Sequence, residues 1–372
     1  MKKAQVKKNL IFTALTALAA GSAMAGNPER QGQSGAMQLT VNGFARSSGW
    51  GWANAAGVSG VEAMYLNPAG LDNAKHGTEL IFSRTQWLSG SGIGVNNFGF
   101  TQRIGSEGEG GSLGVSVMQF GIKPIDITTE TNPYGGLGTY RVNMTNIGLG
   151  YGKSFSNNIS AGIVFRAVTE GIPDAKAMGM SLDAGVQYST TLRPAAKAVK
   201  KNDIHFGIAV KNIGPDMRHT GDGLSFKALL QDGTFDKTMQ VKVDKIKLPS
   251  LLCISGSYDM KLDGSPDVYN NRLTVGFGFT NFAYSANQTT LGLEYGYKDF
   301  LCLRAGYVIQ KGTFESDYTK RTSAYTGFSG GISYDWRSGG GNVFTLDYSY
   351  RATNPFNGTH SFGVRIGLGG GE

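Results

Sequence analysis

Hydrophobic and polar residues alternate with a period of two along most of the chain that follows Lys75. This alternation predicts β-strands that have one apolar and one polar face. In the stretch 360–369, for example, one face carries Phe362, Val364, Ile366 and Leu368, and the other carries Gly363, Arg365 and Gly367. The pattern therefore predicts an all-β fold for the larger part of the chain.

Fourteen such stretches can be counted, and most have about ten residues or more, which is enough for a tilted membrane crossing. At Thr145 and Asn146 the alternation slips by one position, which predicts a bulge. An even strand number is typical of bacterial outer-membrane barrels. The predicted strands are 77–88, 91–104, 112–121, 138–154, 158–169, 176–190, 203–212, 247–261, 269–281, 288–298, 299–310, 324–337, 342–351 and 360–369.

The residues on the two faces favour a membrane barrel over a soluble β-sandwich, which also has one apolar face per strand. Aromatic residues recur near strand ends on the apolar face, as interfacial girdles require. The other face combines glycine with charge, and a buried charge needs either a partner or water. We therefore predict a 14-stranded antiparallel transmembrane β-barrel with these charges in its lumen: Arg166, Asp183, Lys211, Arg272, Glu294, Arg304, Asp335, Asp347, Arg351 and Arg365.

The connections between the predicted strands alternate in length. If the chain enters the barrel from the periplasm, most inner turns are short, and several outer loops are long, above all 213–246. The inner turn 191–203 departs from this rule, because it is long and contains three lysines. A solvated turn and a docking surface both fit that turn.

The first 25 residues have the features of a secretory signal peptide. Lysines precede the apolar run Leu10–Ala20, and Ala23 and Ala25 form a small-x-small cleavage site. We therefore divide the chain into a signal peptide (1–25), an N-terminal lead-in and plug segment (26–75) and a transmembrane barrel (76–372).

The segment Gly43–Leu71 does not alternate, and it is rich in small residues. If the rest of the chain is a closed barrel, this segment is predicted to lie inside it, at the periplasmic mouth. Residues 26–42 before it are polar and read as a flexible lead-in. A linker with its tryptophans at the membrane interface is the alternative. The candidate plug residues are Trp50, Trp52, Asn67, Pro68, Ala69, Gly70 and Leu71.

Composition excludes several other functions. The four lysines of the signal supply half of the formal charge of +8, so the mature chain carries only +4, too little and too scattered to predict nucleic-acid binding. The four histidines and two cysteines show no metal-ligand spacing, and the cysteines are predicted to be unpaired. No catalytic motif is present, so we predict neither an enzyme nor a cofactor. Asp335 and Asp347, with Arg337 and Arg351 nearby, are interpreted as an ion-pair ladder.

The motif Asn67-Pro68-Ala69-Gly70-Leu71 lies just before the first predicted strand. Together with the preceding Val58–Glu62 and Met64–Leu66, it resembles the PorV/PorQ family, within the wider group built like the fatty-acid transporter FadL. The resemblance implies a 14-stranded barrel plugged from the periplasmic side. It also implies the outer membrane of a Gram-negative bacterium, of the Bacteroidetes, with outer-membrane lipid, type IX secretion components and exported client proteins as partners.

Two functions follow from this resemblance. The first is a non-enzymatic adaptor of type IX secretion that holds exported proteins with its outer loops. The alternative is a FadL-like transporter or channel for small hydrophobic molecules. The alternative predicts a lateral gap or a kinked wall strand beside an apolar pocket.

Overall fold

The computed structural model describes residues 27–105, 109–191, 203–229, 236–263, 270–315, 317, 319, 321–338 and 341–370. The predicted signal peptide, residues 1–25, lies outside the described residues. So does most of the inner turn predicted at 191–203. Among the described residues, no helix has both the length and the apolar character needed to cross a membrane.

Fourteen long antiparallel strands form a closed barrel. Each is hydrogen-bonded to the strand that follows it in sequence, and the last pairs with the first. All-β architecture and strand number are therefore as predicted. The strands are β1 (His76–Trp87), β2 (Ile93–Arg103), β3 (Ser112–Ile122), β4 (Asn143–Ser154), β5 (Ile159–Ile172), β6 (Ala175–Thr190), β7 (Ile204–Ile213), β8 (Leu251–Lys261), β9 (Asn271–Phe282), β10 (Gln288–Tyr297), β11 (Leu301–Gln310), β12 (Tyr325–Ser338), β13 (Asn342–Thr353) and β14 (Thr359–Gly370).

Short strands also form outside the wall of the barrel. Two small hairpins lie within long loops, and Ile125–Asp126 pairs with Thr139–Tyr140 where the fourth strand was predicted to begin at 138. The second hairpin pairs Ser225–Leu229 with Asp236–Gln240, and the bridge His219–Thr220 pairs with the start of β6.

The bulge predicted at Thr145 and Asn146 is wrong. Strand β4 pairs in continuous register with both of its neighbours. The alternation slips because Met144 is an apolar residue on the lumen face, where it packs against the buried core. Hydrophobicity in this barrel therefore does not by itself mark the lipid face.

A register shift occurs instead between β6 and β7. Leu182 pairs with Ile213 and Ala184 pairs with Val210, so the single residue Asp183 faces both Lys211 and Asn212. This is the geometry of a β-bulge. Asn212 adopts a positive φ of 60°, and both bulge residues are buried in the lumen.

The two ends of the barrel differ in the length of their connections. At one end, here the turn end, the connections are 104–111, 155–158, 191–203, 262–270, 298–300 and 339–341. At the other, here the loop end, lie 88–92, 123–142, 173–174, 214–250, 283–287, 311–324 and 354–358. In outer-membrane barrels the short turns are periplasmic, so the loop end faces outward.

The described residues before β1, 27–75, run from the loop end through the lumen to the turn end. They form two short α-helices, α1 (Ala45–Gly49) and α2 (Ala63–Leu66), and four 3₁₀ turns. The 3₁₀ turns are Pro28–Arg30, Met37–Thr40, Gly60–Glu62 and Pro68–Asn73, and a fifth, Asp222–Leu224, lies in a loop. Residues 34–42, called the lead-in below, lie at the loop end, where Ala36, Gln38 and Leu39 are buried.

Candidate functional site

Glycines of the wall make room for the segment 43–71, called the plug below. A Cβ atom on Gly292 would lie 2.7 Å from the ring of Trp50, and one on Gly162 would lie 2.6 Å from the carbonyl carbon of Pro68. The small residues of the plug let its backbone pass close to the wall. The glycines on the polar face of the wall strands have the same role, so that face is shaped to receive the plug.

The motif Asn67–Leu71 lies against the wall near the turn end, and all five residues are buried. Asn67 is extended, with φ −147° and ψ 107°, as its position before Pro68 favours. Its side chain accepts a hydrogen bond from the Ala69 amide at 3.2 Å and donates one to the Val186 carbonyl at 3.1 Å. Asn67 thus caps the last 3₁₀ turn and fixes it to β6, and the chain then enters β1.

Ion pairs join the plug to the wall in the turn-side half of the lumen. Arg365 on β14 binds Glu62 of the plug at 2.6 Å and Glu79 on β1 at 3.1 Å. The other oxygen of Glu79 accepts the Val61 amide at 2.8 Å, and Glu62 also accepts from the hydroxyl of Ser47. The spacing of residues in the sequence does not reveal Glu62 or Glu79 as lumen charges, because their partner Arg365 is distant along the chain.

A second network runs along the wall. Glu294 binds Arg272 at 2.8 Å and Arg304 at 2.6 Å. Arg304 donates to Ser333, and Ser333 donates to Asp347.

Asp347 and Asp335 interact with Arg46 of the plug, with N–O distances of 3.4 Å and 4.0 Å. The two aspartates therefore pair with Arg46 and not with Arg337, which the predicted ion-pair ladder had placed beside them. Arg337 is exposed and donates a hydrogen bond to the Lys298 carbonyl.

At mid-height, Arg166, Asp183 and the bulge hold α2 and its flanks. Arg166 binds Asp183 at 2.7 Å and also donates to the Met64 carbonyl. Lys211 donates to the carbonyl of Tyr65. A regular strand would turn one of two consecutive residues outward, so the bulge is what brings both Lys211 and Asn212 to the plug.

Arg351 is the predicted lumen charge nearest the loop end, and it differs from the other arginines. It is 4% exposed and has no acidic partner among the described residues. Its guanidinium carbon lies 4.1 Å from the ring centroid of Trp52 and 3.8 Å from that of Tyr325. Two cation–π contacts therefore stabilise this buried charge.

An apolar cluster fills the loop-side lumen beside the β6–β7 bulge. It comprises Ala36, Leu39, Val168, Ala177, Met217 and Leu248, with Ile246 packed against it. The lead-in supplies Ala36 and Leu39, and it is held mainly by neutral hydrogen bonds, such as Gly35 N to Lys247 O at 2.9 Å. Asn212 of the bulge donates to the carbonyls of Leu39 and Pro249. The lead-in therefore occupies an apolar pocket of the loop end.

A cavity of about 500 Å³ opens at the turn end, between the plug and the wall. Its lining is polar, and includes Arg46, Glu62, His205, Asp259 and Arg272. Ser189 Oγ lies 2.8 Å from His205 Nδ1, and His205 Nε2 lies 3.3 Å from Asp259.

This Ser-His-Asp arrangement joins three neighbouring strands, and sequence spacing could not reveal it. Asp259 also accepts a hydrogen bond from Thr274 and forms an ion pair with Arg272. It therefore belongs to the ion network of the wall as well as contacting His205.

Metal chemistry finds no support in the described part of the chain, where no group of His, Cys, Asp and Glu could hold an ion. Cys253 and Cys302 are free thiols. The charged side chains gathered in the lumen join the plug to the wall.

The closed ring of fourteen strands, the lumenal plug and the apolar outer wall define a plugged, 14-stranded transmembrane β-barrel. The TodX ΔS2S3 mutant, a monoaromatic hydrocarbon channel, is similar with a TM-score of 0.51 and 11% identity, over 87% of this chain and 97% of that one. This comparison shows the fold.

Two further solved structures are similar with lower TM-scores. The toluene transporter TbuX of Ralstonia pickettii has a TM-score of 0.48 and 12% identity, over 89% of this chain and 98% of that one. A FadL homologue of Pseudomonas aeruginosa has a TM-score of 0.47 and 13% identity, over 87% and 96%. No protein-family model matches the sequence, and no curated protein matches it.

Proposed function

We propose that the protein binds a small hydrophobic molecule at the loop end of the barrel and passes it through the outer membrane. The observation that carries the proposal is the apolar pocket lined by Val168, Ala177, Met217 and Leu248, in which Leu39 of the lead-in is buried. Apolar clefts with a few polar groups are the usual form of small-molecule sites. The shared fold with the TodX channel supports the same function.

The fixed plug limits the route that such a molecule can take. Glu62 and Arg46 tie the plug to the wall by ion pairs, and breaking the buried pair of Glu62 with Arg365 is costly. If the molecule passed straight through the lumen to the turn end, all of these ion pairs would have to separate. The bulge of Lys211 and Asn212 lies beside the pocket and marks the point where β6 and β7 are least regularly paired. We therefore place the exit in the wall at this bulge, after displacement of the lead-in.

The test uses the fluorescent apolar probe N-phenyl-1-naphthylamine with the purified, detergent-folded barrel. Leu39→Ala removes the side chain that fills the pocket, so probe binding should become stronger than in the wild type. Leu66→Ala is the matched control, because it empties a similar volume in a separate apolar cluster of the plug. If the two variants bind the probe equally, the proposal is contradicted, even where one variant is less stable than the other.

A second candidate function is the type IX secretion adaptor, which the resemblance to PorV/PorQ suggests and which would place the protein in the Bacteroidetes. The observation that favours it is the hairpin in the loop 214–250. Phe226 and Met239 are cross-strand partners there, and they are 49% and 48% exposed. Paired apolar residues on a projecting hairpin suit the capture of a protein segment.

Cross-linking in native membranes followed by purification tests the adaptor function. The adaptor proposal expects secretion components or exported clients to be recovered with the wild type and lost with the double variant Phe226→Ser, Met239→Ser. Leu137→Ser is the control, because Leu137 is 51% exposed on a different loop. Recovery of no such protein with the wild type would count against the adaptor function.

A further inference from the structure

The outer wall of the barrel is not equally apolar around its circumference. On β14 the outward residues Phe362, Val364, Ile366 and Leu368 follow one another without interruption. On β1 only Leu80 and Phe82 are apolar, because Thr78 and Arg84 flank them on the same face. At about 3.4 Å per residue and a tilt near 40°, the interval from Thr78 to Arg84 spans only about 15 Å of height. The apolar band of such barrels is about 25 Å tall.

The apolar band is shorter on β1 because a row of polar side chains lies on the outside of β1 to β4, near the loop end. In the strand register, Arg84 pairs with Asn96, Asn96 with Gln119, and Gln119 with Thr145. Arg84 and Gln119 are exposed, and Arg84 donates to the amide oxygen of Asn96 at 2.8 Å. Acyl chains alone could not satisfy these groups, because hydrocarbon offers no hydrogen-bond partner.

A second cation, Lys123, lies near Arg84, and both side chains lie over glycines. The stem of Lys123 lies against Gly92, since a Cβ atom there would be 2.6 Å from its Cδ. The guanidinium of Arg84 lies over Gly94, at 3.5 Å from the corresponding position. Within the part of the chain that the structure describes, neither cation has an acidic partner. We define the outer-wall patch as Arg84, Gln86, Asn96, Gln119 and Lys123.

Directly below the outer-wall patch, the wall becomes apolar again. The adjacent outward row pairs Phe82 with Phe98, Phe98 with Val117, and Val117 with Ile147. A polar row with two cations above an apolar row matches an amphiphile with an anionic, hydroxyl-rich head and acyl chains. Arginine and lysine bind phosphate, and amide side chains can bond sugar hydroxyls.

We propose that the outer-wall patch binds the headgroup of a phosphorylated glycolipid in the outer leaflet of the membrane. Its position near the loop end places it at the outward interface. Basic residues at an interface attract anionic headgroups. A protein partner is not favoured, because the apolar row below would then need its own protein cover. The proposal does not depend on what the lumen transports.

The experiment measures bound lipid on the full barrel, folded in detergent and titrated with purified lipid A. Native mass spectrometry counts the lipid bound to the wild type, to Arg84→Ala, to Lys123→Ala and to the double variant. Lys176→Ala is the control, since Lys176 is an exposed loop-end cation on β6. Each cation removed from the outer-wall patch should weaken binding about fivefold, while the control should bind as the wild type does.

Parallel titrations separate the sources of phosphate. Phosphatidylglycerol and inorganic phosphate are added in place of lipid A, and neither should show the same dependence on Arg84 and Lys123. Equal lipid A binding by all variants would overturn the proposal. Binding of phosphatidylglycerol as tight as that of lipid A would also overturn it. The same holds if the double variant loses a co-purifying protein but keeps its glycolipid. Heat-modifiable gel migration confirms that each variant is folded.

Discussion

The two halves of the lumen hold the N-terminal segment in different ways. In the turn-side half, buried ion pairs such as Arg365 with Glu62 join the plug to the wall. In the loop-side half, the lead-in is buried in an apolar cluster around Leu39, and the cation Arg351 is held by aromatic rings. A buried ion pair is costly to separate because each partner would remain buried without the other. Apolar contacts can instead be exchanged for those of a hydrophobic ligand.

This difference indicates which part of the N-terminal segment can move. The turn-side plug acts as part of the barrel core, and the lead-in is the part that a ligand can displace. The β6–β7 bulge lies at the border, because Lys211 binds the plug carbonyl of Tyr65 while Asn212 binds that of Leu39 in the lead-in.

The largest effect is expected at Arg365. Substitution by Met leaves the carboxylates of Glu62 and Glu79 buried without their shared cation. Loss of one partner of a buried pair costs about 3–5 kcal/mol. The unfolding midpoint, followed by heat-modifiable migration, should therefore fall sharply.

Two further variants check the cause of that loss. The triple variant Arg365→Met, Glu62→Gln, Glu79→Gln should recover much of the stability, because no unpaired charge remains. Arg337→Met, at an exposed position, should behave as the wild type. If the triple variant is no more stable than the single one, the ion pairs do not hold the plug.

A second turn-side effect is expected at Gly162. A Cβ atom there would lie 2.6 Å from the carbonyl carbon of Pro68, so Gly162→Ala must push the plug away from β5. Overpacking of this kind costs about 1–3 kcal/mol, and the rigid backbone contact favours the upper part of that range. Gly330→Ala is the control, because its nearest contact would be 3.7 Å. Equal stability of the two variants would show that the plug yields easily.

Most of the wall could be predicted from the sequence, because a half-apolar strand repeats every two residues. The strand number and closure followed from that repeat. Alternation is misleading where the lumen is apolar, as at Met144, since a plugged barrel has a core on its inner side as well. Alternation also does not reveal the bulge at Lys211 and Asn212, because two consecutive polar residues are equally typical of the end of a strand.

The lumen charges could be selected from alternation, but their partners could not. Arg46 and Glu62 come from the plug, and their partners Asp347 and Arg365 lie about 300 residues away. The course of the lead-in was missed for a related reason. Its backbone amides donate to the Lys247 carbonyl and to the Glu170 carboxylate, and backbone donors leave no residue pattern in the sequence.

A smaller effect is expected for Leu39 in the loop-side half. Leu39 is 4% exposed in the apolar cluster, and Leu39→Ala leaves a cavity there. Such a change costs about 2 kcal/mol, at the lower end of the range for core leucines. Limited proteolysis should cut the lead-in of this variant while β1 to β14 stay intact. Leu113→Ala, on the exposed outer wall, should leave the lead-in protected.

The smallest effect is expected at Tyr325, one of the two rings that hold Arg351. Tyr325→Leu keeps an apolar side chain but removes one cation–π contact, worth about 1 kcal/mol. The remaining contact of Arg351 is with Trp52, whose positive φ of 71° is unfavourable for a non-glycine residue. Trp52 should therefore become more mobile, which its fluorescence quenching by acrylamide would report in a variant where Trp50, Trp87 and Trp336 are replaced by Phe. Tyr307→Leu is the matched control on the outward face of β11. If quenching rises equally in both variants, Arg351 does not fix the plug through these rings.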